Sequence, residues 1–282
     1  MKVLVTGASG QLGSDVVKDL DLNGFAPVSA THETLDITNK GSVDAFFSEH
    51  ELDAVIHCAA WTNVDLAEDE PEKCADVNVK GTRNIVDNCK SLDIPMVYIS
   101  TDYVFDGSGT APWRVDSPTN PINEYGRSKF LGEQCVRELE KHFIVRTSWV
   151  YGANGKNFVK TMLNLSENRP EIRVVSDQIG SPTYTADLAP LLREMIRTDL
   201  YGTYHAHNEG YCSWYNFATE IMRQSGKKTT ITPIDSSSYP MKAKRPFNSR
   251  LDTDNIGDAG FSKLPEWRDG LNRFLREISV IR

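Results

Sequence analysis

The sequence contains no run of about 18 apolar residues, the length a helix needs to cross a bilayer, so nothing in it is expected to span a membrane. Its first residues, Met1 to Gly7, hold an apolar stretch too short for the core of a secretion signal and lead straight into glycine-rich text. A basic excess is also lacking. With 31 Lys and Arg against 39 Asp and Glu the net charge is −8, which argues against a broad nucleic-acid or anionic-membrane surface and leaves room for a few local cations in a pocket. Paired cysteines are missing: Cys58, Cys74, Cys89, Cys135 and Cys212 form no C-x-x-C and no Cys/His group at zinc-ligand spacing. The thiols are expected to be reduced and mostly buried, no metal site is readable, and the chain is expected in the cytoplasm. No repeat, low-complexity tract or charge block suggests a tail or tether. What remains is 282 residues, 39% hydrophobic and 25% charged, enough for one large α/β domain or a dinucleotide domain with a smaller partner.

Short apolar runs bounded by turn residues alternate with longer amphipathic stretches through the first 150 residues. That alternation predicts βαβ units around a parallel sheet covered by helices on both faces. Strands are expected at Val3–Val5, Pro27–Ala30, Ala54–Cys58, Met96–Ser100 and Phe143–Arg146, then at Ile172–Val175 and Gly202–His205. Helices are expected near Gln11–Leu22, Ser42–Glu49, Glu72–Leu92, Asn123–Lys141, Asn157–Asn168, Ala186–Arg197, Trp214–Ser225 and Trp267–Ile278. After about residue 206 the alternation loosens into turn-rich text such as Thr232 to Ser238, which suits an appended lobe. The expected fold is therefore α/β: a Rossmann-type doubly wound parallel sheet with a smaller C-terminal substrate lobe. Residues 1–150, with about 176–206 returning to them, would form the dinucleotide-binding domain, and about 151–175 and 207–282 the lobe.

Gly7, Gly10, Gln11, Leu12 and Gly13 belong to a G-x-x-G-x-x-G loop that follows the first predicted strand and opens the first predicted helix. Glycines there let the backbone approach a pyrophosphate, and the helix N-terminus supplies free N–H groups and positive partial charge. A second cofactor signal is Ala60, Trp61 and Thr62, within the stretch Cys58 to Asp65 whose small residues at the C-terminal end of a parallel strand let a cofactor lie against the sheet edge. At the end of the second strand, where NAD enzymes place an acid for the ribose 2′-hydroxyl, the text reads Ser29-Ala30-Thr31-His32, with Glu33 just beyond. Neutral, hydroxyl-bearing residues there favour NADPH, with NADH tolerated.

Tyr125 and Lys129 form Y-x-x-x-K on a predicted helix, one turn apart on one face. A neighbouring ammonium is expected to lower the phenol's pKa and make Tyr125 a general acid for reduction. Thr101 lies directly past the strand Met96–Ser100, where α/β sheets place ligand-binding groups. Taken together, the loop, the hydroxyl and the Tyr/Lys pair imply hydride transfer to a ketone, with Tyr125 protonating the developing alkoxide and Thr101 hydrogen-bonding the same oxygen.

The loop spacing and the Y-x-x-x-K pair resemble extended short-chain dehydrogenases/reductases. Narrower text, Ser100-Thr101-Asp102-Tyr103-Val104-Phe105-Asp106-Gly107, Arg146 to Gly152, Asn157 to Met162, Asp177 to Thr183 and Lys244 to Ser249, resembles the dTDP-4-dehydrorhamnose reductases. That resemblance implies NAD(P)H-dependent reduction of the 4-keto group of dTDP-4-dehydro-β-L-rhamnose to dTDP-L-rhamnose, a cell-surface sugar donor. It implies that Asp36 and Ile37 lie against adenine, that Lys129 also holds the nicotinamide ribose, and that Thr101, Asp102 and Trp149 contact the sugar. It also allows Mg2+ and a homodimer. Read as an isolated residue, Trp149 could equally be a core aromatic, and Arg245 could meet the diphosphate or simply a surface carboxylate. Two other functions stay open: a nucleotide-sugar epimerase or dehydratase on the same scaffold, and a non-catalytic regulatory subunit of a methionine adenosyltransferase assembly. The acidic pair typical of a dehydratase is missing, since Thr101 is followed by Asp102 and Tyr103.

Overall fold

The computed structural model describes residues 1–281. Its centre is a six-stranded sheet in which every pair is parallel: β1 (Lys2–Thr6), β2 (Ala26–Ala30), β3 (Ala54–His57), β4 (Met96–Thr101), β5 (His142–Thr147) and a last strand, Gly202–His205. Across the sheet the order is Gly202–His205, β5, β4, β3, β1, β2. The chain steps from β1 outward to β2 and then returns to β3 on the other side of β1. That reversal opens a crevice at the C-terminal ends of β1 and β3, where open α/β sheets bind ligands.

Strict alternation along β1 shows how both faces are buried. Val3 and Val5 pack with α1 (Gln11–Leu22) and, later in the chain, α8 (Thr185–Met195), alongside Val97, Phe143 and Val145. Leu4 points to the other face, where α2 (Lys40–Glu49), α5 (Thr82–Leu92) and α6 (Glu124–Val136) cover Val55, Tyr98 and Ile144. A third apolar cluster gathers α7 (Phe158–Ser166), α9 (Trp214–Ser225) and α11 (Trp267–Glu277) around Tyr151, Phe217 and Trp267. There Glu171–Val175 pairs in parallel with Thr230–Ile234. Ile256 of α10 (Asp254–Asp258), Phe261 and Leu264 leave that cluster and pack with the first one.

The helices depart from expectation at three places. The stretch expected as one helix over Glu72–Leu92 runs as α4 (Pro71–Ala75), a π-helical turn at Asp76–Gly81, and α5. A methyl at Gly81 would lie 2.8 Å from Ile37 Cδ1, so the helix is packed tightly on the β2–α2 loop at this turn. A short helix, α3 (Val64–Asp69), was not expected; Asn63 caps it by accepting from the Leu66 N–H at 3.1 Å. Also, α6 stops at Val136, well before the expected Lys141, because a turn at Arg137–Glu140 must lead into β5 at His142.

One buried ion pair ties α6 to the sheet. Arg146 of β5 donates from Nε and Nη2 to Glu133 of α6, both at 2.8 Å, and Ser100 of β4 donates to the same carboxylate at 2.6 Å. Neither charged side chain exposes more than 2% of its surface. Removing one partner of such a pair strands a buried charge, whereas replacing both removes the desolvation cost. Arg146→Met is expected to cost about 3–5 kcal/mol in urea unfolding, with Glu133→Leu/Arg146→Met costing less than the sum of the single changes. Additive losses would mean that the two groups act independently.

Candidate active site

The glycine loop sits where β1 meets α1. Gly7 has φ 64°, and a Cβ there would lie 2.8 Å from the Ala59 nitrogen, so only glycine lets β1 and the β3 exit pass this closely. A Cβ at Gly13 would meet the Gly7 carbonyl at 2.2 Å. Gly10 is the extended N-cap of α1 with no side-chain cap, which leaves the first N–H groups of the helix free for an anion. Two expected cofactor residues use their side chains elsewhere. Leu12 is buried in the core. Gln11 Oε1 accepts from Gly152 N at 3.1 Å and from Asn157 Nδ2 at 3.0 Å, stitching the loop to the third cluster.

Of the residues expected to meet adenine, Asp36 accepts from Thr38 N and Oγ1 at 3.0 and 2.7 Å, and Thr38's hydrogen bonds hold its carboxyl below the usual range. Ile37 is buried. Past β3, Trp61 is fixed on both sides of its backbone by Asn78, which accepts from Trp61 N at 2.8 Å and donates to Trp61 O at 3.1 Å; Ala60 is partly buried beside it and Thr62 is exposed. Asn78 lies in the π turn and also donates to Ser128 of α6 at 2.9 Å. The π turn thus joins the cofactor edge to the helix that carries Tyr125 and Lys129.

Thr101 ends β4, and its hydroxyl donates to Asp102 Oδ1 at 3.0 Å while accepting from Tyr103 N at 3.2 Å. Asp102 is 2% exposed, and burial pushes its carboxyl up to about 6 against weaker opposition from the hydroxyls of Ser249 and Thr101. Its Oδ2 has no hydrogen bond of normal geometry, with the Ser249 hydroxyl as the nearby polar group. Tyr125 and Lys129 stand on α6, whose start is capped by Asn123 accepting from Gly126 N at 2.7 Å. The Thr101 hydroxyl lies against the Tyr125 phenol.

Here the electrostatics reverse an expectation from the sequence. Burial raises the Tyr125 phenol, although part of the ring stays open, and it pushes Lys129 down to about 7. Lys129 is 3% exposed, with its Nζ 4.1 Å from the Tyr98 ring centroid. Desolvation disfavours the charged form of both groups, so the pair rests as phenol and partly neutral amine rather than as phenolate and ammonium.

Trp149 is partly exposed just past β5, stacked on Trp214 with ring centroids 3.7 Å apart. Arg245 makes a two-point ion pair with Asp65, at 3.0 and 2.8 Å, so in this state it meets a carboxylate of α3. Thr185 donates to Asp15 and Tyr184 to Glu277, and no group of three or more His, Cys, Asp or Glu gathers among the described residues.

Comparison with known proteins settles the lineage. A family model described as the RmlD substrate binding domain matches residues 1–280. The chain belongs to the RmlD family. It is 44% identical over 279 residues to the spore coat polysaccharide biosynthesis protein SpsK of Bacillus subtilis, covering 99% of this chain and 98% of that protein. It is 41% identical over 276 residues to a dTDP-4-dehydrorhamnose reductase of Streptomyces griseus, covering 95% and 91% of the two chains. The crystal structure of a dTDP-4-dehydrorhamnose reductase from Bacillus anthracis in complex with NADP superposes with a TM-score of 0.95 at 43% identity, covering 98% and 99%. In this RmlD-family chain three site neighbours escaped the motif reading, Asn78, Glu133 and Trp214, while Ser249 was quoted at the end of the Lys244 to Ser249 text without a role.

A buried lysine with a lowered pKa weakens folding most where the unfolded chain binds its proton and the folded chain resists it. The cost is fully present below about pH 7 and is relieved as pH rises toward the ordinary lysine value. Lys129→Met is therefore expected to raise Tm at pH 6 by at least about 2–4 °C, with the gain shrinking by pH 10. An unchanged or lowered Tm at pH 6 would contradict the burial cost.

Proposed function

We propose that this chain reduces the 4-keto group of dTDP-4-dehydro-β-L-rhamnose to give dTDP-L-rhamnose, with NADPH as the preferred donor, NADH tolerated, and the cytoplasm as its place of work. The observation that carries the reading is the Thr101, Tyr125 and Lys129 set at the C-terminal edge of the sheet, next to a glycine cradle shaped for a pyrophosphate. The names of the full-length relatives give it the substrate.

The cofactor, when bound, supplies the hydride. Everything else falls to the protein. The loop N–H groups at Gly10 to Gly13 hold the pyrophosphate, and Gly7 keeps the backbone low enough for it. Thr31 and His32 follow β2 without a carboxylate at the strand end, which leaves space for a 2′-phosphate. Tyr125, kept as the phenol by burial, is in the form a reduction needs: it gives its proton to the oxygen that gains charge. Thr101 turns its one hydroxyl hydrogen from Asp102 toward the same oxygen. Lys129 binds the nicotinamide ribose and, poised at about 7, can pass a proton to the Tyr125 phenolate left by the transfer and regain one from solvent. Asp102 and Trp149 line the sugar side, and Arg245, paired with Asp65 in this state, would exchange that carboxylate for the diphosphate.

The test is sugar-dependent oxidation of NADPH by the purified protein, followed by absorbance with freshly made dTDP-4-dehydrorhamnose. The wild type is expected to consume NADPH, and Tyr125→Phe to lose about 10²–10⁴-fold in kcat with its NADPH affinity kept. No oxidation with either cofactor would overturn the reading in favour of a regulatory subunit.

A further inference from the structure

Among the described residues, positive φ outside glycine occurs at Asp93, Trp149 and Ser279. Asp93 closes a helix and Ser279 is small and polar, but Trp149, at φ 48°, puts a bulky aromatic into the left-handed region. A non-glycine residue keeps such a backbone only where its surroundings over-determine it, and these positions cluster at ligand sites. Three hydrogen bonds supply those surroundings. Thr183 N donates to the Trp149 carbonyl at 3.1 Å, Thr183 Oγ1 to the Ser148 carbonyl at 2.6 Å, and Ser148 Oγ to the Ser181 carbonyl at 2.8 Å.

The indole itself is held by Trp214. The two rings lie 15° from parallel with centroids 3.7 Å apart, and Phe158 backs Trp214 at 4.5 Å. Trp214 is in turn fixed as the first residue of α9 by a reciprocal cap between Ser213 and Asn216. Gly180 closes the arrangement: a Cβ there would lie 2.9 Å from Trp149 Cε2 and 3.0 Å from Ser249 Cβ, and the Ser249 hydroxyl stands beside the Asp102 carboxyl. Thr147 is the register partner of Thr101, so Trp149 begins two residues past the edge that carries the reacting hydroxyl. Both indoles remain partly exposed.

We propose that Trp214, backed by Phe158, is a positioning residue for the sugar: it pins Trp149 so that the paired indoles form an aromatic wall selecting a 6-deoxy-4-keto hexose over a fully hydroxylated one. The proposal rests on the reductase reading above. An indole face meets methyl and C–H groups well and offers nothing to a 6-hydroxyl, which loses its water there.

Three variants test it: Trp214→Ala, Trp214→Phe and Phe158→Leu. Two stacked indoles give a coupled circular-dichroism band, which reports the pair independently of activity. Trp214→Ala is expected to lose that band, to raise KM for the 4-keto sugar about tenfold, and to leave kcat and NADPH affinity within about threefold of the wild type. Trp214→Phe, which keeps a ring under Trp149, should restore KM, and Phe158→Leu should fall between them. In the wild type dTDP-6-deoxyglucose should inhibit better than dTDP-glucose, which differs only in its 6-hydroxyl, and in Trp214→Ala that preference should shrink toward none. An unchanged KM and preference in Trp214→Ala, or a joint fall of kcat, NADPH affinity and Tm that Trp214→Phe does not rescue, would overturn the proposal. Wild-type protein that fails to oxidise NADPH would instead bring down the reductase reading, and this proposal with it.

Discussion

An ammonium group buried to 3% exposure is costly, and the arrangement around Lys129 follows from that cost. The face of Tyr98 lies under its Nζ, and Glu133, one turn further along α6, draws its pKa back up without overcoming the desolvation that lowers it. The same burial keeps Tyr125 a phenol, so the acid of the proposed reduction is stored in its loaded form while the lysine stands near the midpoint of its own titration. His57, buried at the end of β3 and hydrogen-bonded to Thr6 at 2.7 Å and Thr82 at 3.2 Å, is pushed down to about 3 and brings no second positive charge to this region. The helix that carries the pair therefore needs anchors that do not depend on Lys129 being charged. Glu133 supplies one through Arg146 and Ser100, and Ser128 supplies another through Asn78.

Those anchors also explain how separate parts of the chain meet at one edge. Asn78 bonds the Trp61 backbone on the cofactor side and Ser128 on α6, while Gln11 reaches from the phosphate loop to Asn157 and Gly152 of the third cluster. On the far side, the ion pairs of Arg245 with Asp65 and of Lys242 with Asp69 draw the segment before Asn248 across to α3. Asn123 donates to the Lys244 carbonyl at 2.7 Å, so the cap of α6 is itself part of that seam. The C-terminal segments are thus joined to the sheet domain by these polar contacts as well as by apolar ones, with Leu251 packing against Val104 and Phe105 and with Ile256, Phe261 and Leu264 in the first cluster.

Much of this was legible in the sequence, because fully buried parallel strands and amphipathic helices leave strong periodic text. Gln11–Leu22, Trp214–Ser225 and Gly202–His205 lie where the text put them, and the glycine loop stands between its strand and helix. The π turn did not show, since one extra residue in a helix hardly alters its apolar pattern, and α3 was hidden in polar text whose only cue is the Asn63 cap. The sign of the Tyr125 shift was out of reach for a different reason. Spacing on a helix says that a lysine is near, but how much water is excluded from both groups depends on Tyr98, Thr101 and Asp102, which come from another strand. Trp214 lies more than 60 residues beyond Trp149 in the chain, so no local pattern could pair the two indoles.

The most direct test of a site tuned by burial is the titration of Lys129 itself, in cofactor-free protein labelled with ¹³C at the lysine side-chain carbons and assigned by comparison with Lys129→Arg. A midpoint near 7, well apart from the other lysines, is the expected result. A midpoint in the ordinary lysine range would mean that the ammonium is fully charged at neutral pH, and that the phenol beside it is set by that charge rather than by exclusion of water.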